Sequence, residues 1–73
     1  LMIVLERRGR TWRLAIGRTA SPPSKTEADV VARDFGLPDG IEWSWTTRKN
    51  TKRKLTYQVA ECTWIEQTEG SKA

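Results

Sequence analysis

Trp43-Ser44-Trp45-Thr46-Thr47-Arg48-Lys49-Asn50-Thr51-Lys52-Arg53-Lys54-Leu55-Thr56-Tyr57 is the stretch that decides the architecture. Large apolar side chains alternate with small polar ones on both sides of its centre: Ile41, Trp43 and Trp45 before it, Leu55, Tyr57 and Val59 after it. That is the period-two signature of strands with one buried face. Between them the segment from Arg48 to Lys54 carries five cations in seven residues. The pattern predicts a hairpin in which Trp45 pairs with Leu55 or Tyr57 and the cations form the tip. Past Val59 the apolar phase moves to Ala60, Cys62 and Trp64, which predicts a β-bulge or strong bend near Ala60 and Glu61.

Upstream, Trp12, Leu14 and Ile16 alternate with Arg13, Ala15 and Gly17, and the apolar run Leu1 to Leu5 precedes them. The connecting Arg7-Arg8-Gly9-Arg10 contains a glycine able to take the positive φ of a tight turn. A two-residue Arg8-Gly9 turn sets Leu5 opposite Trp12 and Ile3 opposite Leu14. A three-residue loop with a Gly9 bulge sets Val4 and Met2 there instead, and both registers bury apolar pairs. Pro22-Pro23 then excludes helix and central strand. Ser24 and Glu27 stand in the capping-box spacing, so a helix starts near Lys25. Ala28, Val31, Ala32 and Phe35 form one apolar stripe, and Lys25, Asp29 and Arg33 an outer ladder. Gly36 supplies a left-handed cap, Leu37 folds back onto the last turn, and Pro38 stops continuation; Pro38-Asp39-Gly40 turns the chain into the second hairpin.

The fold class expected is α+β: a single small basic domain over residues 1–66, in ββαββ order, with a four-stranded, mostly antiparallel sheet and one helix packed on one face. Residues 67–73 carry no apolar period and are expected to form a disordered tail. The expected core is Val4, Trp12, Leu14, Ile16, Val31, Phe35, Trp43, Tyr57 and Val59. Four tryptophans are more than one short helix can cover. Trp43 and Trp45 are read as core, and Trp64, on the shifted phase, as an interface residue.

Composition narrows the function classes. The chain of 73 residues lacks histidine and has one cysteine, so neither a closed zinc site nor a Cys/His or Ser/His nucleophile system fits within it. It also lacks a glycine-rich phosphate loop, and its acids are scattered. The expectation is a non-enzymatic domain without cofactor or metal, with Cys62 a small buried apolar residue. The longest apolar stretch, Met2 to Leu5, is far too short to span a bilayer or form a signal core, and a lone cysteine suits a reducing compartment. A cytoplasmic protein with no membrane partner is expected. Leu1 before Met2 marks either a natural start at Met2 or a fragment. So small a domain makes a homodimer plausible.

Thirteen Lys and Arg against nine Asp and Glu give a net charge of +4, concentrated at two hairpin tips. The candidate nucleic-acid-binding residues are Arg7, Arg8, Arg10 and Arg13 on the first, and Arg48, Lys49, Asn50, Lys52, Arg53 and Lys54 on the second. Arg48 or Asn50 are the base readers, and Arg7, Arg8, Arg10, Lys49, Lys52, Arg53 and Lys54 are the phosphate contacts, with Thr46, Thr47, Asn50 and Thr51 as neutral donors. DNA is preferred to RNA, since a two-stranded ribbon fits a major groove. The alternative is a small protein-binding module or inhibitor that docks on another protein through exposed Trp and basic residues. The nucleic-acid reading leans on the two tips converging.

Gly9-Arg10-Thr11-Trp12-Arg13 followed by Ser24-Lys25-Thr26-Glu27-Ala28 resembles the strand and helix opening of the arm-type DNA-binding domains at the N-terminus of phage integrases. The likeness covers roughly Arg8 to Gly36. It implies a sheet that enters the major groove and a phage or mobile-element accessory or regulatory factor. It departs at Pro22-Pro23, where the family has a third strand, and it does not account for the second hairpin.

Overall fold

The computed structural model describes residues 1–66, and the stretch 67–73, expected as a disordered tail, lies outside the described residues. The chain runs β1 (Met2–Arg8), β2 (Thr11–Arg18), α1 (Lys25–Asp34), β3 (Ser44–Asn50) and β4 (Leu55–Ile65). The strands form one antiparallel sheet in the order β1-β2-β4-β3, so the ββαββ α+β reading holds. Only two strands precede the helix; the strand that completes the sheet against β2 is β4, from the far end of the chain.

The first hairpin takes neither expected register. Its two-residue turn is Gly9-Arg10, pairing Arg8 with Thr11, Leu5 with Leu14 and Ile3 with Ile16. Gly9, at φ +65°, occupies the first central position of the turn, which a glycine-first primed turn favours as strongly as the glycine-second one. Face parity survives the shift: Ile3 and Leu5 still share a face with Trp12, Leu14 and Ile16.

The helix starts and stops where its signals place it, but only the Ser24 half of the capping box forms. Ser24 Oγ accepts the Glu27 N–H at 3.1 Å, while the Glu27 carboxylate turns to Arg18 at the end of β2. Lys25 Nζ donates to Asp29 at 2.8 Å, and Arg33 faces Asp39 at 3.9 Å. At the C-terminus Gly36 sits at φ +83°. Gly36 N–H donates to Arg33 O at 2.9 Å and Leu37 N–H to Ala32 O at 3.0 Å, the pair of bonds that defines a Schellman motif.

Ala28 and Ala32 bring the helix close to Leu14, Ile16, Ala60 and Cys62 on the sheet, and Val31, Leu37, Ile41 and Trp43 close the border. Phe35, expected in the core, is 46 % exposed. The Schellman turn carries Leu37 onto Leu14, Ala32 and Cys62, the ground the Phe35 ring would have taken. Val4, Trp12, Val31, Trp43 and Tyr57 are half-buried, whereas Leu14, Ile16 and Val59 are fully enclosed.

There is no bulge in β4. Its rungs run unbroken from Thr11–Ile65 to Arg18–Gln58 on one side and from Ser44–Glu61 to Asn50–Leu55 on the other. The apolar phase changes because this strand buries residues on both faces: Ala60 and Cys62 under the helix, and Val59 on the opposite face. Gly17 makes the second burial possible, since a Cβ there would come within 3.0 Å of Met2 Cε and 3.5 Å of Val59 Cγ2.

Ile41 and Trp43 precede β3 and fold over the core, where the Trp43 indole N–H donates to Asp29 at 2.8 Å. Trp45 pairs with Ala60, not with Leu55 or Tyr57. It lies at the sheet edge, 45 % exposed, with its indole N–H donating to Pro23 O at 2.8 Å.

Candidate nucleic-acid interface

The second hairpin is built around a polar turn. Asn50 Oδ1 accepts the Arg53 N–H at 3.1 Å, an Asx-type bond across the turn Thr51 to Lys54, and Lys54 closes it in the left-handed region at φ +55°. Arg48, Lys49 and Asn50, read from sequence as loop, are therefore the last rungs of β3, paired with Tyr57, Thr56 and Leu55. The loop shrinks to four residues because Asn50 satisfies the turn backbone locally.

β2 pairs with β4 only as far as Arg18–Gln58, whereas the β3–β4 ladder continues through three further rungs. Residues Arg48 to Tyr57 thus project past the sheet as a two-stranded ribbon, three rungs and a turn, roughly 10 Å of strand plus the loop. On one face lie Arg48, Asn50 and Tyr57; on the other, continuous with the helix side of the sheet, lie Lys49 and Thr56. Residues 43–60 contain no Asp or Glu. Among the described residues, Lys49, Lys52, Arg53 and Lys54 make no ion pair, and all four are exposed.

The first tip differs in kind. Arg7 lies over the Trp12 ring at 5.3 Å and pairs with Glu66 at 3.4 Å. Arg10 donates to the Glu66 carbonyl at 2.9 Å, the Trp12 indole to the Glu66 carboxylate at 3.0 Å, and Glu66 N–H to Arg10 O at 2.7 Å. Trp64, expected at an interface, is half-buried and stacked on Trp12 with centroids 6.1 Å apart and planes 4° from parallel. The cations of this tip serve largely to close the end of the sheet, leaving Arg8 without an ion pair among the described residues.

Arg13 is not at a tip. It stands on the face away from the helix, bonded to Glu6 and Glu61 at 2.9 Å each, and Glu61 also reaches Arg48 at 3.3 Å. The Glu61 hydrogen bond, only partly opposed by burial, raises the Arg13 pKa above the ordinary guanidinium value. Sequence reading missed Glu61 and Glu66 as organisers, because only the cross-strand register brings them to their arginines.

The two tips do not converge. β2 and β4 are antiparallel, so Gly9-Arg10 lies beyond Ile65 while the second turn lies beyond Leu55, at the opposite end of the same strand. The 11 residues of β4 separate those ends, roughly 33 Å of strand. Convergence of tips therefore lends the nucleic-acid reading nothing, and the ribbon must carry it alone.

Among the described residues no three Cys, Asp or Glu side chains gather into a metal-holding group. Burial pushes the Cys62 thiol pKa up, as expected of a cysteine packed under Leu14 and Ala32. No described helix is long and apolar enough to cross a membrane. No protein-family model, curated protein or solved structure matches this chain.

Proposed function

We propose that this chain is a non-enzymatic DNA-binding domain that acts in the cytoplasm and uses the β3–β4 ribbon as its contact arm. The observation that carries the reading is the acid-free ribbon that extends beyond the sheet, four of whose five cations make no ion pair among the described residues. Four cations without an ion pair among the described residues, on a narrow projecting element, release the counterions condensed on a duplex when they meet its phosphates. A two-stranded ribbon suits the B-DNA major groove, about 12 Å wide, and is excluded from the deep, narrow major groove of A-form RNA. Lys49, Lys52, Arg53 and Lys54 take the phosphate role. Arg48 and Asn50 share the face turned away from the helix and take the base-reading role, with the Arg48 guanidinium held on that face by Glu61.

The test is a gel-shift panel of double-stranded DNA, single-stranded DNA and RNA duplex across a salt series. Double-stranded DNA is expected to bind tightest, with affinity falling steeply as salt rises. Equal affinity for all three, or binding insensitive to salt, overturns the ribbon-in-groove reading.

A further inference from the structure

We infer that β1 is a self-pairing edge, and that its partner is the β1 strand of a second copy of this chain. The two outer strands of the sheet are unequal. β3 carries Arg48 and Lys49 and ends in the cationic turn, the kind of charged edge that resists strand addition. β1 has no charge from Met2 to Leu5, and Ile3 and Leu5 stay 43 % and 40 % exposed beside Ile16 and Leu14. Among the described residues it is an apolar strand edge left open.

The backbone of β1 is aimed for pairing. The Glu66 N–H bond to Arg10 O fixes the alternation of ladder bonds across β4 and β2, because each antiparallel residue directs N–H and C=O to one side. Carried through the registers, it directs Met2, Val4, Glu6 and Arg8 to β2, and Ile3, Leu5 and Arg7 outward. An antiparallel copy centred on Val4 then meets outward groups with outward groups. Ile3 lies opposite the partner's Leu5, Leu5 opposite the partner's Ile3, and Val4 faces the partner's Val4 as a non-hydrogen-bonded pair. The apolar row is self-complementary, and from Met2 to Glu6 no like charges oppose each other in this register.

Long-range charge favours the same arrangement. β1 and β3 are opposite edges of the sheet, so joining two copies at β1 keeps the cationic ribbons at the far margins of the combined sheet. A single edge-to-edge contact buries less than a standard interface, so the dimer is weak and concentration-dependent. This inference does not depend on DNA binding.

Sedimentation equilibrium without nucleic acid tests it. The wild-type chain is expected to pass from monomer to dimer as concentration rises through the micromolar range, about as a sub-standard interface allows. Leu5→Lys should stay monomeric with an unchanged circular-dichroism spectrum. A second readout guards against misfolding of that variant: Val4→Cys should form an intermolecular disulfide under mild oxidation, since facing non-hydrogen-bonded residues have Cα atoms about 4.5 Å apart, within disulfide range. Thr56→Cys, on the ribbon, should not. A wild type monomeric throughout, a Leu5→Lys chain that dimerises normally, or Val4→Cys cross-linking no faster than Thr56→Cys overturns the inference.

Discussion

Replacing Lys52 and Arg53 with Ala and Lys54 with Gly removes three of the four ribbon cations that make no ion pair among the described residues. Glycine is chosen at position 54 because the backbone there has φ +55°, which costs a side-chain-bearing residue about 1 kcal/mol. Alanine would keep that strain. The Arg53 N–H that anchors the turn to Asn50 is main chain and survives the substitution. With about 0.9 added to the slope of log K against log salt per phosphate neutralised, the three contacts account for a slope of about 2.7. Between about 50 and 200 mM salt that slope alone weakens the wild type about 40-fold more than the variant. Fluorescence anisotropy with a labelled duplex at four or more salt concentrations, on a variant whose thermal midpoint is at or above wild type, reads the difference directly. A folded variant that keeps the wild-type slope would refute the ribbon as the phosphate-contacting element.

Acid titration tests the loop over the core. The Lys25 hydrogen bond, and after it the Trp43 indole, hold the Asp29 carboxyl below the usual carboxylate range. A lowered folded-state pKa means stability fully present above the unfolded value and lost as pH falls through the folded one. Urea midpoints should therefore drop as pH falls from about 5 toward about 2, and Asp29→Asn should flatten part of that drop; identical pH profiles would dismiss the pair. The core can be tested by contrast: Leu14→Ala, at 0 % exposure, should cost about 2–5 kcal/mol, and Phe35→Ala, at 46 % exposure, less than about 1.5 kcal/mol. Equal costs in urea unfolding would contradict the placement of Leu37 over Leu14.

Local signals read well from this sequence and distant ones did not. The Ser24 cap, the Gly36 turn and the fold-back of Leu37 each depend on residues within a few positions of one another, and all form as expected. The first hairpin slid because Gly9 suits either central position of a primed turn, a degeneracy that apolar pairing on both registers could not break. Phe35 was misplaced because helical periodicity cannot see Leu37 arriving from beyond the helix. The supposed bulge was a strand buried on both faces, and nothing near Ala60 encodes the pocket that Gly17 opens for Val59. The candidate cations were legible; their grouping was not. Strand order, set by β4 inserting beside β2, placed the tips at opposite ends and assigned Arg13 to Glu6 and Glu61.

The split membership of β4 has a consequence for how this domain tolerates change. Its second half, with Cys62 and Ala60, belongs to the core, while Leu55 to Tyr57 has a strand neighbour on one side only. Residues that hold the fold and residues of the projecting ribbon are thus almost disjoint sets. Substitutions between Arg48 and Tyr57 leave the helix-covered core untouched, so the ribbon is free to be rewritten one letter at a time without the domain ever passing through an unfolded ancestor.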